Sequence, residues 1–361
     1  MITRANTSVV HIGGVPVGGG HPIKIQSMTN TDTRDIASTV AQIKNLQAAG
    51  CEIIRVAVPD MEAASAITRI KKEISIPLVA DIHFDYKLAL AAVKNGADKL
   101  RINPGNIGSE NRVRQVAEAA KACGLPIRVG VNSGSLEKEI LAKYNGVTAQ
   151  GMAESALKNV ALLEKFGFND IVVSIKTTDV SLMLDAHKIL AKRLPYPLHI
   201  GLTEAGTPYN GAIRSAAGLG ALLSLGLGDT VRVSLSGDPV AEIHAAKEIL
   251  AAMGLRRFGV KVIACPTCGR TDIDVAGIAS RLEQKLAHVT TPITIAVMGC
   301  VVNGPGEARE ADVGIAGGNG KAVLFRKGEV VRTVGVDEME VAVLGEVEGM
   351  ITNLFQKPIV D

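Results

Sequence analysis

The sequence contains no tryptophan, only five cysteines and almost no excess of one charge, its formal net being +3 over 361 residues. So small a net charge removes the broad electrostatic footprint expected of a nucleic-acid-binding protein, and any basic site must be built locally. Long apolar runs are missing too. No segment sustains the roughly 20 apolar residues of a membrane span, and the opening MITRANTSVVHIGG has no continuous apolar run. The chain therefore reads as cytoplasmic, with neither nucleic acid nor membrane as a partner. No GxGxxG follows an early strand, which withdraws the usual support for a doubly wound dinucleotide-binding sheet. Five cysteines in a reducing compartment favour metal or redox chemistry over structural disulfides.

What is present is an α/β balance, 47% hydrophobic and 21% charged with 38 glycines. VVHIGGVPVGGG (9–20) reads as a glycine-turned hairpin that caps one end of the main fold. Eight β-rich runs come next: IKIQSMT (23–29), EIIRVAV (52–58), PLVADIH (77–83), KLRINP (99–104), PIRVGVN (126–132), DIVVSIK (170–176), PLHIGLTE (197–204) and TVRVSLS (230–236). Amphipathic segments such as DIASTVAQIKNLQAAG (35–50) separate them. Eight such units are the number that closes a TIM barrel, the (β/α)8 fold.

Alternation inside these runs locates a site. Arg55, Arg101 with Asn103, Arg128 with Asn132, Asp81 with His83, Ser174 with Lys176, and Arg232 with Ser234 each alternate with apolar neighbours. The apolar face of each strand must meet the helices, so the polar face points into the barrel. Arg55, Arg101, Arg128, Lys176 and Arg232 come from five different strands. Unpaired charges are costly there, and Asp81 and Glu204 are too few to neutralise them. A phosphate-bearing substrate is the economical counter-ion. Glu204 falls at a strand's C-terminal end, where barrel enzymes keep proton donors and acceptors; an ion pair with one of the arginines is its equally open alternative. The connection NSGSLEKEILAKYNGVTAQ (132–150) is long enough to read as a lid.

The barrel is assigned to residues 1–258 and a small α/β domain to 259–361. The second carries Cys265 and Cys268 in ACPTCGR and Cys300 in MGCVVNGPGE. Two thiolates from one tight turn and a third from a Gly/Pro loop can share one metal centre. Glu307 is the nearest carboxylate for a fourth position, with Asp272, Asp274 and His288 as weaker candidates; Cys51 and Cys123 lie far upstream in regular elements. Three thiolates with an oxygen ligand suit an iron-sulfur cluster better than structural zinc. The last barrel helix runs antiparallel to its strand, so the chain leaves at the face opposite the catalytic mouth. A head-to-tail homodimer with a shared active site is the resulting expectation.

In order along the chain, SMTNTDT, ADIHFD, KLRINPGN, RVGVNSGSLE, VVSIKTTD, GLTEAG, VRVSLSGDP, ACPTCGRT and MGCVVNGPGEA resemble the bacterial 4-hydroxy-3-methylbut-2-enyl diphosphate synthases of the non-mevalonate isoprenoid pathway. The resemblance covers nearly the whole chain, without departure at the ligand motifs and without the large inserted domain of the plant-type form. It implies reductive ring opening and dehydroxylation of 2-C-methyl-D-erythritol 2,4-cyclodiphosphate through a 4Fe-4S cluster held by Cys265, Cys268, Cys300 and Glu307. It also implies a substrate pocket of Arg55, His83, Arg101, Asn103, Arg128, Asn132, Lys176, Arg232 and Ser234. Glu204 would be the acid for the departing hydroxyl, Asn303 a second polar group beside the cluster, and flavodoxin or ferredoxin the electron donor. A pterin-binding-type barrel transferase with a structural zinc tail is the alternative reading.

Overall fold

Two glycines with positive φ, Gly13 at +51° and Gly14 at +85°, turn strand β1 (Val10–Ile12) back onto β2 (Val15–Val17) as an antiparallel hairpin. The structure, a computed structural model, describes residues 3–300, 306, 309–318 and 320–356. It divides into two units, Met1–Arg256 and Arg257–Asp361.

In the first unit the hairpin is followed by β3 (Lys24–Met28), β4 (Ile53–Ala57), β5 (Leu78–Asp81), β6 (Lys99–Ile102), β7 (Ile127–Asn132), β8 (Ile171–Lys176), β9 (His199–Ile200) and β10 (Thr230–Val231). They lie side by side, all parallel, in the order β8-β7-β6-β5-β4-β3-β10-β9. A parallel bridge from Val173 to Leu198 brings the two ends together. This is the expected (β/α)8 barrel. The last two strands are shorter than the apolar runs 197–204 and 230–236. A Cβ on Gly201 would lie 2.2 Å from the Arg232 carbonyl oxygen, so the backbones close in there and regular pairing stops. Residues beyond that point are free to form the mouth.

The helices show why they start and stop where they do. Asp35 accepts the Ser38 N–H at 3.0 Å ahead of helix Ile36–Ala49, and Gly50, at φ +107°, ends it in the left-handed region. Its buried residues Thr39, Val40, Ile43 and Leu46 recur at helical spacing and pack toward the strands. Full burial of each aliphatic side chain contributes roughly 1.5–3 kcal/mol. Inside the barrel, Ile12 and Val17 of the hairpin cluster with Ile53 and Val79 near the starts of β4 and β5. The N-terminal end is therefore stoppered by apolar packing.

The second unit is a five-stranded sheet in the order β11 (Val260–Ala264), β12 (Ile293–Met298), β13 (Val313–Gly318), β14 (Lys321–Arg326), β15 (Glu329–Gly335). The first three strands are parallel and the last two return antiparallel. Helix Val275–Leu286 buries Val275, Ile278, Leu282 and Leu286 against Ile293, Ile295, Val297, Val313, Ile315 and Leu324, and Met339, Val343 and Val347 of helix Met339–Gln356 join the same cluster. Two helices on one sheet face make a two-layer α/β unit.

Candidate active site

Five barrel segments deliver cations to one cavity. Its volume is about 140 Å³, and it is lined by Arg55, Asp81, His83, Arg101, Arg128, Asn132, Lys176, Thr203, Arg232 and Ser234. All five cations expected from strand alternation meet here, with His83, Asn132 and Ser234 beside them. Two glycines leave the room. A Cβ on Gly130, between Arg128 and Asn132 on β7, would lie 2.6 Å from Arg101 Nε, and one on Gly201 would lie 3.3 Å from Lys176 Nζ. A shallower depression of about 550 Å³, lined by Lys44, Gln47, Ala48, Lys72, Glu73, Ile74 and Ser75 on outer helices, gathers no comparable set of groups.

Charge in the barrel interior is unbalanced. Among the described residues, the carboxylates Asp81 and Glu242 stand against Arg55, Lys99, Arg101, Arg128, Lys176 and Arg232. Asp81 lies 3.1 Å from Arg101 Nη1, 3.7 Å from Arg55 Nε and 3.5 Å from His83 Nε2. Its burial favours protonation, but Arg55, His83, Arg101 and Arg128 outweigh that and hold it well below the usual carboxylate range. Glu242, from helix Val240–Ala252, lies 3.4 Å from Arg232 Nη2 and accepts the Ser27 hydroxyl at 2.8 Å and the Leu235 N–H at 3.1 Å. Arg55 also turns Nε and Nη2 to Met28 Sδ, at 3.1 and 2.9 Å. Burial pulls its pKa down to about 10, and it stays charged at neutral pH. Arg128 has no ion pair among the described residues, and its Nε and Nη1 are buried without a hydrogen-bond partner. Burial first, and then the arginines around it, depress Lys176 well below the ordinary lysine value. Orphaned donors facing a small cavity are what an oxyanion satisfies.

Other expected site residues sit apart from the cavity lining. Asn103 is buried, and its Oδ1 accepts the Gly105 N–H at 3.2 Å, capping the short helix Pro104–Ile107. Glu204 is exposed and holds φ at +52°, a left-handed conformation that a non-glycine residue adopts only at a cost. Asn303 and Glu307 lie outside the described residues. The segment read as a lid is not an open loop. It forms a 3-10 turn, Ser133–Ser135, and helix Lys138–Tyr144, and Glu137 between them accepts hydrogen bonds from Ser155 Oγ at 2.7 Å and Asn159 Nδ2 at 3.1 Å. Buried partners on helix Ala149–Glu164 pin it.

Sequence reasoning missed Lys99, Glu242, Thr203 and Glu137. Lys99 precedes Arg101 by two residues on β6 and shares its inward face, so alternation could have found it. Glu242 reaches the interior from a helix, for which strand alternation carries no signal.

In the second unit, parallel pairing of Ala264 with Val297 sets the ends of β11 and β12 side by side, about 4.8 Å apart. Cys265 follows the first and Gly299-Cys300 the second. The Gly299 N–H donates to Cys265 Sγ at 3.1 Å, and the Cys268 N–H donates to Thr271 Oγ1 at 3.1 Å. All three cysteines are free, Cys268 exposed and the others half-buried. A backbone hydrogen bond from Arg270 is the main cause holding the Cys268 thiol below its ordinary value. Among the described residues no group of three or more His, Cys, Asp and Glu is placed to hold a metal ion. The donor chemistry still fits one: soft thiolates at adjoining strand ends, one already receiving an N–H···S bond.

A family described as the GcpE TIM-barrel domain matches residues 7–247, and one described as the GcpE protein C-terminal domain matches residues 261–349. The 4-hydroxy-3-methylbut-2-en-1-yl diphosphate synthase (flavodoxin) of Caldanaerobacter subterraneus subsp. tengcongensis is 57% identical over 348 residues, covering 96% of this chain and 98% of its own. The proteins of the same name from Halalkalibacterium halodurans and Geobacter sulfurreducens are 54% and 55% identical, covering 98% and 96% of this chain and 96% and 99% of theirs. Among solved structures, a dihydropteroate synthase of Xanthomonas albilineans is similar over 69% of this chain and 99% of its own, at 15% identity and a TM-score of 0.49. That likeness is too slight to support the pterin-binding alternative.

Proposed function

The chain belongs to the GcpE family, and from that premise we propose that it carries out the reductive ring opening of 2-C-methyl-D-erythritol 2,4-cyclodiphosphate. The product is 4-hydroxy-3-methylbut-2-enyl diphosphate, the step takes two electrons, and the enzyme is an oxidoreductase of isoprenoid-precursor synthesis. The observation that most supports this reading is the cationic cavity, whose arginines and lysine lack enough carboxylates to neutralise them. Arg55, Arg101, Arg128, Lys176 and Arg232 hold the diphosphate oxygens, and burial makes each charge-assisted bond count for more than it would in water. His83, Asn132 and Ser234 orient the carbon skeleton, and Asn103 fixes the loop after β6.

Loss of a hydroxyl as hydroxide is slow, so an acid must meet it. Glu204, at the C-terminal end of the β9 segment, delivers that proton, and Asn303 is a second polar group beside the cluster. Cys265, Cys268, Cys300 and Glu307 would hold a 4Fe-4S cluster, which when bound supplies the electrons singly. In this reading residues 1–258 bind substrate and residues 259–361 carry the cluster. The electron donor is a flavodoxin, as the names of the relatives state for those proteins, or a ferredoxin in its place. The protein works in the cytoplasm as a homodimer with a shared active site. Among the described residues, no helix is long and apolar enough to cross a membrane.

The test is anaerobic purification followed by iron and sulfide analysis and turnover with reduced flavodoxin. About four irons and four sulfides per chain are expected, together with conversion of the cyclic diphosphate to the linear one. One zinc per chain and no conversion would defeat the reading.

A further inference from the structure

Beneath the cavity lies a lysine that the proposed reaction does not use. Lys99 opens β6 and is fully buried. The one hydrogen bond of its side chain among the described residues is from Nζ to Gln26 Oε1, at 3.3 Å. The charged groups that act on it are Arg128 and Arg55, both cations, and the buried His199 ring, hydrogen-bonded through Nδ1 to Thr230 Oγ1, lies within its field. No carboxylate pairs with Lys99 among the described residues. Acceptors are scarce as well: Gln26 Nε2 and Arg128 Nε and Nη1 are all buried without a hydrogen-bond partner.

An ammonium in that setting bears a desolvation cost and like-charge repulsion with nothing to offset either. The arginines cannot relieve the repulsion by losing protons, because guanidinium does not deprotonate in proteins. The lysine can. Burial, then Arg128 and Arg55, push its pKa well below the ordinary lysine value. A diphosphate entering the cavity would reverse the sign of the field that Lys99 experiences.

We propose that Lys99 is a neutral amine in the empty barrel and takes a proton from solvent when a diphosphate anion settles among Arg55, Arg101, Arg128 and Lys176. Anion binding is then coupled to proton uptake. Lys99 touches no substrate atom; it acts as a positioning charge that keeps the empty barrel one cation lighter and the filled barrel better neutralised. The inference rests on the reading of the cavity as a diphosphate site. By linkage, affinity falls as pH rises, because binding takes up a proton.

Full-length protein is titrated calorimetrically at pH 8 with inorganic pyrophosphate, in two buffers of different ionisation enthalpy. The wild-type chain should take up more protons per pyrophosphate bound than Lys99→Met, by roughly half a proton to one proton, and its affinity should fall more steeply with pH. Protonation of pyrophosphate itself cancels in the difference between the chains, and Lys176 contributes equally to both. Equal uptake would overturn the proposal. Failure of wild type to bind pyrophosphate would instead remove the diphosphate reading beneath it. Lys99→Gln serves where the methionine variant does not fold. In wild type, the ¹⁵N signal of one lysine side chain that is missing from Lys99→Met should pass from amine to ammonium on adding pyrophosphate; no such change would equally count against Lys99.

Discussion

In the barrel unit a cluster of charged groups lies inside, above an apolar stopper, and the remaining apolar packing lies between strands and helices. In the C-terminal unit the interior is apolar and the cysteines sit at strand ends and in turns. The barrel fixes its cations on strands before any ligand arrives, and carries the cost of burying them. The cysteine site is placed by the β11–β12 ladder, whose ends carry Cys265 and Gly299-Cys300, and by the turn that brings Cys268. One site is therefore a set of buried cations short of an anion, while the other is a set of soft thiolates at strand ends and in a turn.

If that contrast is right, the two sites can be lost separately. Cys300→Ala should abolish iron retention, and with it turnover, while leaving pyrophosphate affinity within about twofold. Iron analysis and calorimetry on the same preparation check both halves, and a joint loss would break the contrast. Glu307→Ala should retain iron more weakly and alter the cluster spectrum; an unchanged spectrum would remove Glu307 from the ligand set. Next in size is Glu204→Gln. A positioned acid contributes about 10²–10⁴-fold, so kcat should fall by at least about 100-fold with little change in KM. Near-normal kcat would leave the left-handed backbone at Glu204 without a catalytic reason.

The same contrast explains how much could be read from the sequence. Strand period two is a strong signal, so the eight strands and the inward face bearing Arg55, Arg101, Arg128, Lys176 and Arg232 were legible. Asn103 obeyed the alternation but is turned aside by the helix it caps, because a local Asx bond to Gly105 competes for its side chain. Glu242 and Glu137 reach their partners from helix and loop, where tertiary geometry decides and no local pattern reports it. The turn bearing Cys265 and Cys268 was legible from spacing, whereas the positions of Asn303 and Glu307 fall outside the described residues.

Glu137 tests how far the barrel's preorganisation extends beyond the strands. It joins Ser155 and Asn159 to the loop after β7, and a Cβ on Gly105, in the loop after β6, would lie 3.0 Å from its Oε1. Two adjoining walls, carrying Asn103 and Asn132, thus lean on one carboxylate. Glu137→Ala should raise KM about tenfold, or about 1.4 kcal/mol, with kcat nearly unchanged, and Glu137→Gln should recover much of the loss. Equal falls in kcat for both variants would assign Glu137 to general stability instead.

The smallest effect concerns pH and divides the units once more. His187 is fully buried on helix Val180–Leu190, with Nδ1 2.8 Å from the Met183 carbonyl oxygen, and burial lowers its pKa to about 4. The folded state therefore holds fewer protons there than the unfolded chain between about 4 and 6.5, so this contribution is complete above 6.5 and lost as pH falls. Asp229 has the opposite sign. Burial raises it to about 6 against the hydrogen bonds it accepts from Leu198 N–H at 2.8 Å and Thr7 Oγ1 at 3.2 Å. Its fold-linked proton adds stability as pH falls from about 6 toward 3.8. Between pH 6 and 5 each linkage is worth about 1 kcal/mol, since one fully linked proton changes stability by about 1.36 kcal/mol per pH unit. Urea unfolding at the two pH values should show Asp229→Asn losing more stability than wild type on acidification, and His187→Gln losing less. Neither substitution should alter the pH response of the C-terminal unit's own transition, because each removes a proton linkage that belongs to the barrel alone.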